Sequence, residues 1–102
     1  MDAGDPGAAP SALSLFCARL RRLQAESGIT QAALLERAGL GKSQVSAILG
    51  GDIKRPPRWG ATIAIVRACL EHAKADGRTV PPDLAAEGDW RRRYLEIGRA
   101  HV

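Results

Sequence analysis

Lys42, Ser43, Gln44 and Ser46 set four hydrogen-bonding side chains at the start of a short stretch whose other positions, Val45, Ile48 and Leu49, are apolar. Lys54, Arg55 and Arg58 follow in a segment that Pro56 and Pro57 hold extended, because a residue before proline avoids helical angles. Side chains of these types can donate to acceptor edges and to phosphate oxygens. Residues suited to bond chemistry are scarce. The two cysteines, Cys17 and Cys69, sit far apart on apolar faces with no histidine at ligand spacing, so they read as reduced core thiols rather than a disulfide or metal site. His72 and His101 read as ordinary helix residues. Neither a paired-carboxylate setting, nor a Ser-His or Cys-His constellation, nor a phosphate-cradling glycine loop is present, and Gly50-Gly51 reads as a helix stop. An enzyme is the least favoured class, and no cofactor or metal is expected.

The charge is unevenly placed. Of 15 basic and 11 acidic residues, the stretch 13–78 holds eleven and five, a surplus of six, whereas residues 79–102 hold four of each sign. A central excess of this kind suits a polyanion-binding surface. The 102 residues suffice for one core and not two. With 45% hydrophobic residues but only 4% aromatic, that core must be built from Leu, Ile, Val and Ala, which favours packed helices. No apolar run approaches a membrane span, and the first residues lack the pattern of a secretion signal. The expected location is the cytoplasm. Arg outnumbers Lys twelve to three, a coding bias that hints at a GC-rich bacterial genome.

The elements that must position these side chains follow from periodicity and punctuation. Residues 1–10 are expected to be a disordered leader, residues 11–78 the folded domain, and 79–102 a connector with a C-terminal helix. Leu13, Phe16, Cys17, Leu20 and Leu23 recur at helical spacing from Ser11 to about Ala25. Gly28 stops that helix, and Thr30 offers an N-cap for a second running Gln31 to Ala38, which Gly39 ends. Gly41 caps a third, with Gln44 at the position of a capping box and Gly50-Gly51 at its end. A fourth helix is predicted from about Trp59 to Ala75 with Ile63, Val66, Cys69, Leu70 and Ala73 inward. RTVPPDLAAEG reads as a connector, and a fifth helix from Asp89 puts Trp90, Tyr94 and Ile97 on one side. Arg91, Arg92 and Arg93 read as its solvated face, with a second phosphate grip as the less favoured alternative.

Two short helices around a glycine corner resemble the helix-turn-helix of the xenobiotic-response-element family, the group of the lambdoid phage repressors and Cro. The resemblance is carried by Thr30-Gln31, Leu34, Gly39-Leu40, Val45-Ser46, Ile48 and Gly51, extends into Lys54-Arg55-Pro56, and covers residues 12–75. It implies an all-α, five-helix domain of the lambda-repressor-like type that binds double-stranded DNA as a transcriptional regulator, with the third helix, about Lys42 to Leu49, in the major groove. Lys42, Ser43, Ser46 and Ala47 are then the candidates for base contact, Lys42 toward guanine acceptors and Ala47 toward a thymine methyl. Gln31, Gln44, Lys54, Arg55 and Arg58 are the candidates for phosphate, Gln31 at the positive start of the second helix. Trp59 reads as a core anchor.

Leu35 and Leu49 depart from the family pattern. Leu35 stands where the family keeps a small residue between the two helices, and Leu49 replaces a polar residue that would tie the third helix to the first. One such helix reads few base pairs, so a homodimer is expected, with Trp90, Tyr94 and Ile97 as its contact. The alternative is an adaptor: the same fold used as a protein-binding module at the front of a larger signalling protein.

Overall fold

A computed structural model describes residues 11–100 and contains six helices: α1 (Ala12–Ser27), α2 (Gln31–Ala38), α3 (Lys42–Gly50), α4 (Trp59–Ala75), α5 (Pro82–Ala85) and α6 (Glu87–Ala100). The N-terminal leader expected over residues 1–10 lies outside the described residues, as does His101.

The caps follow from the residue types. Ser11 accepts a hydrogen bond from the Ser14 amide at the start of α1, and Thr30 accepts one from Ala33 at the start of α2, each satisfying a donor that a helix start leaves free. Gly39, at φ 69°, closes α2 by donating to the Leu35 carbonyl, and Leu40 donates to the same oxygen. No heavy atom would meet a side chain there; the left-handed backbone, not space, calls for glycine. Gly41 caps α3 through its backbone alone, with no side-chain hydrogen bond, so the expected capping box is not formed.

α1 is the hub, packing on α3, α4 and α6, while α2 packs on α4. Leu13, Phe16, Cys17, Leu20 and Leu23 of α1, Leu34 of α2, and Val45, Ile48 and Leu49 of α3 are all buried in one core. On α4 the buried positions are broader than the predicted stripe. Ala61, Thr62, Ile65, Val66, Ala68, Cys69 and Ala73 are buried, whereas Ile63 and Leu70 are only half-buried. A helix packed by α1, α2 and α6 has no narrow inner face.

The C-terminal region corrects three expectations. First, the fold has six helices and not five among the described residues, because the connector contains a single helical turn. Pro82 stands at its first position, where proline lacks nothing a helix needs, and Leu84 is buried. Second, α6 begins at Glu87, two residues before the expected start. The Ala86 carbonyl accepts from Asp89 and Trp90, and Glu87 and Asp89 sit in the first turn, where negative charge favours the helix. Third, Trp90 and Ile97 are each only 1% exposed. Trp90 donates its indole N–H to the Leu84 carbonyl at 2.8 Å and meets the Phe16 ring edge-on at 5.5 Å. Side chains placed inside this chain's own core have no surface left for a second copy, so they are not a dimer contact. They anchor α6 to α1.

Both cysteines are buried and free. Burial pushes the Cys69 thiol up to about 11 from an ordinary value near 9.0, against a smaller opposing effect of the Ser27 hydroxyl; Cys17 is raised likewise by burial. At pH 8 both thiols therefore stay protonated and inert. A disulfide reagent such as dithionitrobenzoate should leave the folded chain unlabelled at pH 8 and titrate both thiols once it is denatured, with Cys69 gaining reactivity only as the pH nears 11. Rapid labelling of folded protein at pH 8 would contradict this packing. Replacing Trp90 by Ala should cost about 3–5 kcal/mol in chemical denaturation, the range for losing a large buried aromatic.

Candidate nucleic-acid interface

α3 buries Val45, Ile48 and Leu49 and leaves Lys42, Ser43, Gln44, Ser46 and Gly50 exposed, with Ala47 half-exposed. The apolar spacing dictates this division: Val45, Ile48 and Leu49 fall on one stripe under α1, and the polar residues between them face outward. Gly51, at φ 76°, ends the helix by donating to the Ile48 carbonyl, and Asp52 donates back to Ala47. From this stop the chain runs through Ile53, Pro56 and Pro57, all half-buried, while Lys54, Arg55 and Arg58 stand exposed. The half-buried prolines seat the segment, so its cations project from a fixed base.

Two hydrogen bonds fix α3 against its neighbours. Gln31, at the first position of α2, donates its side-chain N–H to the Ser46 hydroxyl at 2.7 Å. The two residues expected to contact phosphate and base respectively are thus joined to each other. Arg21 of α1 donates through Nη1 to the Leu49 carbonyl at 2.7 Å. The tie between first and third helices that Leu49 was expected to forgo is therefore made, through the backbone oxygen instead of a side chain. Leu35, the other departure, is half-buried against the core, and the bond between Gln31 and Ser46 closes α2 onto α3 beside it.

The distribution of ion pairs separates the cations into two classes. Arg19 and Arg22 share Asp83 at 3.5 and 2.9 Å. Arg37 lies 4.0 Å from Glu71, Arg78 bonds Asp76 at 2.9 Å, and Arg92 bonds Asp89 at 2.9 Å. Arg67 meets Glu87 with two bonds of 3.0 Å, which hold the Glu87 carboxyl below the usual carboxylate range. Lys42, Lys54, Arg55 and Arg58 have no carboxylate within ion-pair distance among the described residues. Four unpaired cations thus lie on the stretch that starts α3 and follows it; Arg21, Lys74, Arg91, Arg93 and Arg99 also lack a carboxylate partner among the described residues. Cations so placed can neutralise phosphates, and the α3 side chains beside them can reach acceptors at fixed positions.

A protein-family model described as a helix-turn-helix domain matches residues 15–81. The chain belongs to this family. Helix-turn-helix domains are DNA-binding modules in general, with one helix presented to a groove and its neighbours set against the strand backbone. In this domain α2, the Gly39 corner and α3 form the motif, and α1 and α4 carry it. No curated protein and no solved structure gives a significant match.

A concavity of about 260 Å³ lies between α1 and α6, lined by Ala12, Leu15, Phe16, Arg19, Arg93, Glu96 and Ile97. It contains none of the α3 or loop residues. Among the described residues no group of three His, Cys, Asp or Glu is placed to hold a metal ion, and no helix is long and apolar enough to cross a membrane.

Sequence reasoning missed the Arg21 and Tyr94 contacts. Tyr94 donates its hydroxyl to the Pro57 carbonyl at 2.7 Å, a link between residues far apart in the chain that no local pattern announces. Substituting Arg21 by Met, which keeps most of the side-chain stem, should lower stability by about 1.5 kcal/mol, the low end for a hydrogen bond from a charged donor. Urea denaturation checks it, and an unchanged midpoint would mean the Leu49 carbonyl is equally well served by water.

Proposed function

We propose that this domain is a sequence-specific double-stranded DNA-binding unit of a transcriptional regulator, with α3 entering the major groove. One observation carries the reading. The cations beside the exposed donors of α3, Lys42 and the run Lys54, Arg55, Arg58, all lack carboxylate partners among the described residues, whereas six arginines elsewhere have acidic partners.

The chemistry of each residue follows. Lys42 and Ser43 occupy the first turn of α3, the part of a recognition helix that goes deepest into a groove. Ser46 accepts from Gln31, so its own O–H is left to donate, and the bond orients it toward acceptors such as purine N7. Ala47 presents a methyl suited to thymine. Gln31 keeps its second amide hydrogen for a phosphate, at a helix start whose backbone N–H groups favour anions. Gln44, exposed on the first turn of α3, has the same reach. Lys54, Arg55 and Arg58 supply the sequence-independent grip that fixes register.

A single α3 reads only a few base pairs, so useful affinity requires a second copy with its recognition helix about one helical turn, 34 Å, away. Trp90 and Ile97 do not serve that contact. Leu15, 56% exposed, and Leu95, 46% exposed, are the large apolar side chains left at the described surface to do so.

Fluorescence anisotropy with a mixed-sequence duplex across a salt series tests the reading. Binding should appear at low salt and fall linearly in log–log form, with each neutralised phosphate contributing about 0.9 to the slope. Removing Arg55 or Arg58 should lower the slope by about one. Lys42→Ala should instead weaken binding most on a selected operator. If folded protein ignores DNA at low salt, the fold serves here as a protein-binding adaptor.

A further inference from the structure

We infer that α6 is part of the DNA-facing surface, with Arg91 as an additional phosphate-contacting cation and Tyr94 as the residue that positions the basic loop. This rests on the DNA-binding reading and extends it beyond the helix-turn-helix itself.

The three consecutive arginines of α6 have different surroundings. Arg92 is bonded to Asp89. Arg93 is half-buried and lines the groove between α1 and α6. Arg91 is exposed and lies over the Trp59 ring, 4.9 Å from its centroid, with no carboxylate within ion-pair distance among the described residues. A guanidinium held over an aromatic ring by a cation–π contact has no carboxylate to occupy its N–H donors. The contact also restricts a long side chain in advance, so less rotamer freedom is lost when a ligand is met. Trp59 directly follows Arg58 and begins α4. Arg91 is therefore held on the side chain of the residue that directly follows Arg58, the last cation of the run Lys54, Arg55, Arg58.

Tyr94 is one turn along the same helix. Its hydroxyl holds the Pro57 carbonyl, the peptide from which Arg58 departs, and its ring packs 5.1 Å from Trp59 and 6.2 Å from Phe16. Since Trp90 and Ile97 lock α6 into the core, a bond from Tyr94 transmits a rigid position to the loop. Two prolines stiffen the loop internally; Tyr94 fixes where it sits.

The test uses four variants, each checked for wild-type-like folding by circular dichroism, in the anisotropy salt series. Arg91→Gln should lower the salt slope by about one and weaken binding several-fold at low salt. Arg91→Lys, keeping the charge, should restore most of the slope. Arg92→Gln, which removes the same charge from the neighbouring, carboxylate-paired residue, should leave the slope unchanged. Tyr94→Phe should keep the wild-type slope, lower affinity several-fold, and increase the backbone mobility of Arg55 and Arg58 measured by nitrogen-15 relaxation on the free protein. Equal slopes for Arg91→Gln and wild type, or equal losses for Arg91→Gln and Arg92→Gln, would overturn the contact at Arg91. Loop amides as ordered in Tyr94→Phe as in wild type would overturn the positioning role. Absence of DNA binding by the wild type would instead remove the reading on which both rest, while the relaxation result would still judge Tyr94 as a loop anchor.

Discussion

A helix of eight or nine residues does not hold itself together in water, because the cost of its first turn is spread over too few hydrogen bonds. α2 and α3 are of this length, and everything presented on α3 depends on their being held from outside. Leu34, Val45, Ile48 and Leu49 supply the hold by disappearing into the core shared with α1 and α4, each burial being worth about 1.5–3 kcal/mol. The exposed face of α3 is what remains after that demand is met. It can therefore carry Lys42, Ser43 and Ser46 without regard to packing, and three of the four left-handed glycines among the described residues, Gly28, Gly39 and Gly51, turn the chain sharply enough for short helices to share one interior.

The parts of this arrangement that lie in local sequence were legible before any coordinates. α2 and α4 have the bounds that Thr30, Gly39 and the helical stripes announce, and the division of α3 into buried and exposed positions follows from a repeat of three and four. Caps and periodicities act within a few residues, so a chain shows them directly. α5 was hidden because two prolines in a row read as a break, although the second is at home in a helix's first position. Trp90, Tyr94 and Ile97 were recognised as one side of a helix, but an apolar side does not say whether it faces its own core or another molecule. Only the packing against Phe16 and Leu84 decides it. The Arg21, Arg91 and Tyr94 contacts join distant segments, and no spacing rule encodes them.

The pairing of charges has a meaning apart from stability. Exposed ion pairs such as those of Arg22, Arg67 and Arg92 contribute little to folding. Their effect is to cancel part of the positive potential over α1, α4 and α6, which leaves the four cations around α3 and its loop a larger share of the field of a basic domain. A uniformly basic protein would attract polyanions in any orientation; partial neutralisation favours some approaches over others.

The contact of Phe16 with Trp90 joins the first described helix to the last, and this has a consequence for biosynthesis. A ribosome delivers α1 through α4 before α6, so the nascent motif emerges with the side of α1 that Trp90 and Ile97 will cover still open to solvent. Complete burial waits until α6 has left the exit tunnel, and the closure spans nearly the full described chain. Contacts of such long sequence separation slow folding relative to a bundle of neighbours. The buried face of α1 is thus completed only after α6 has been made and has reached it.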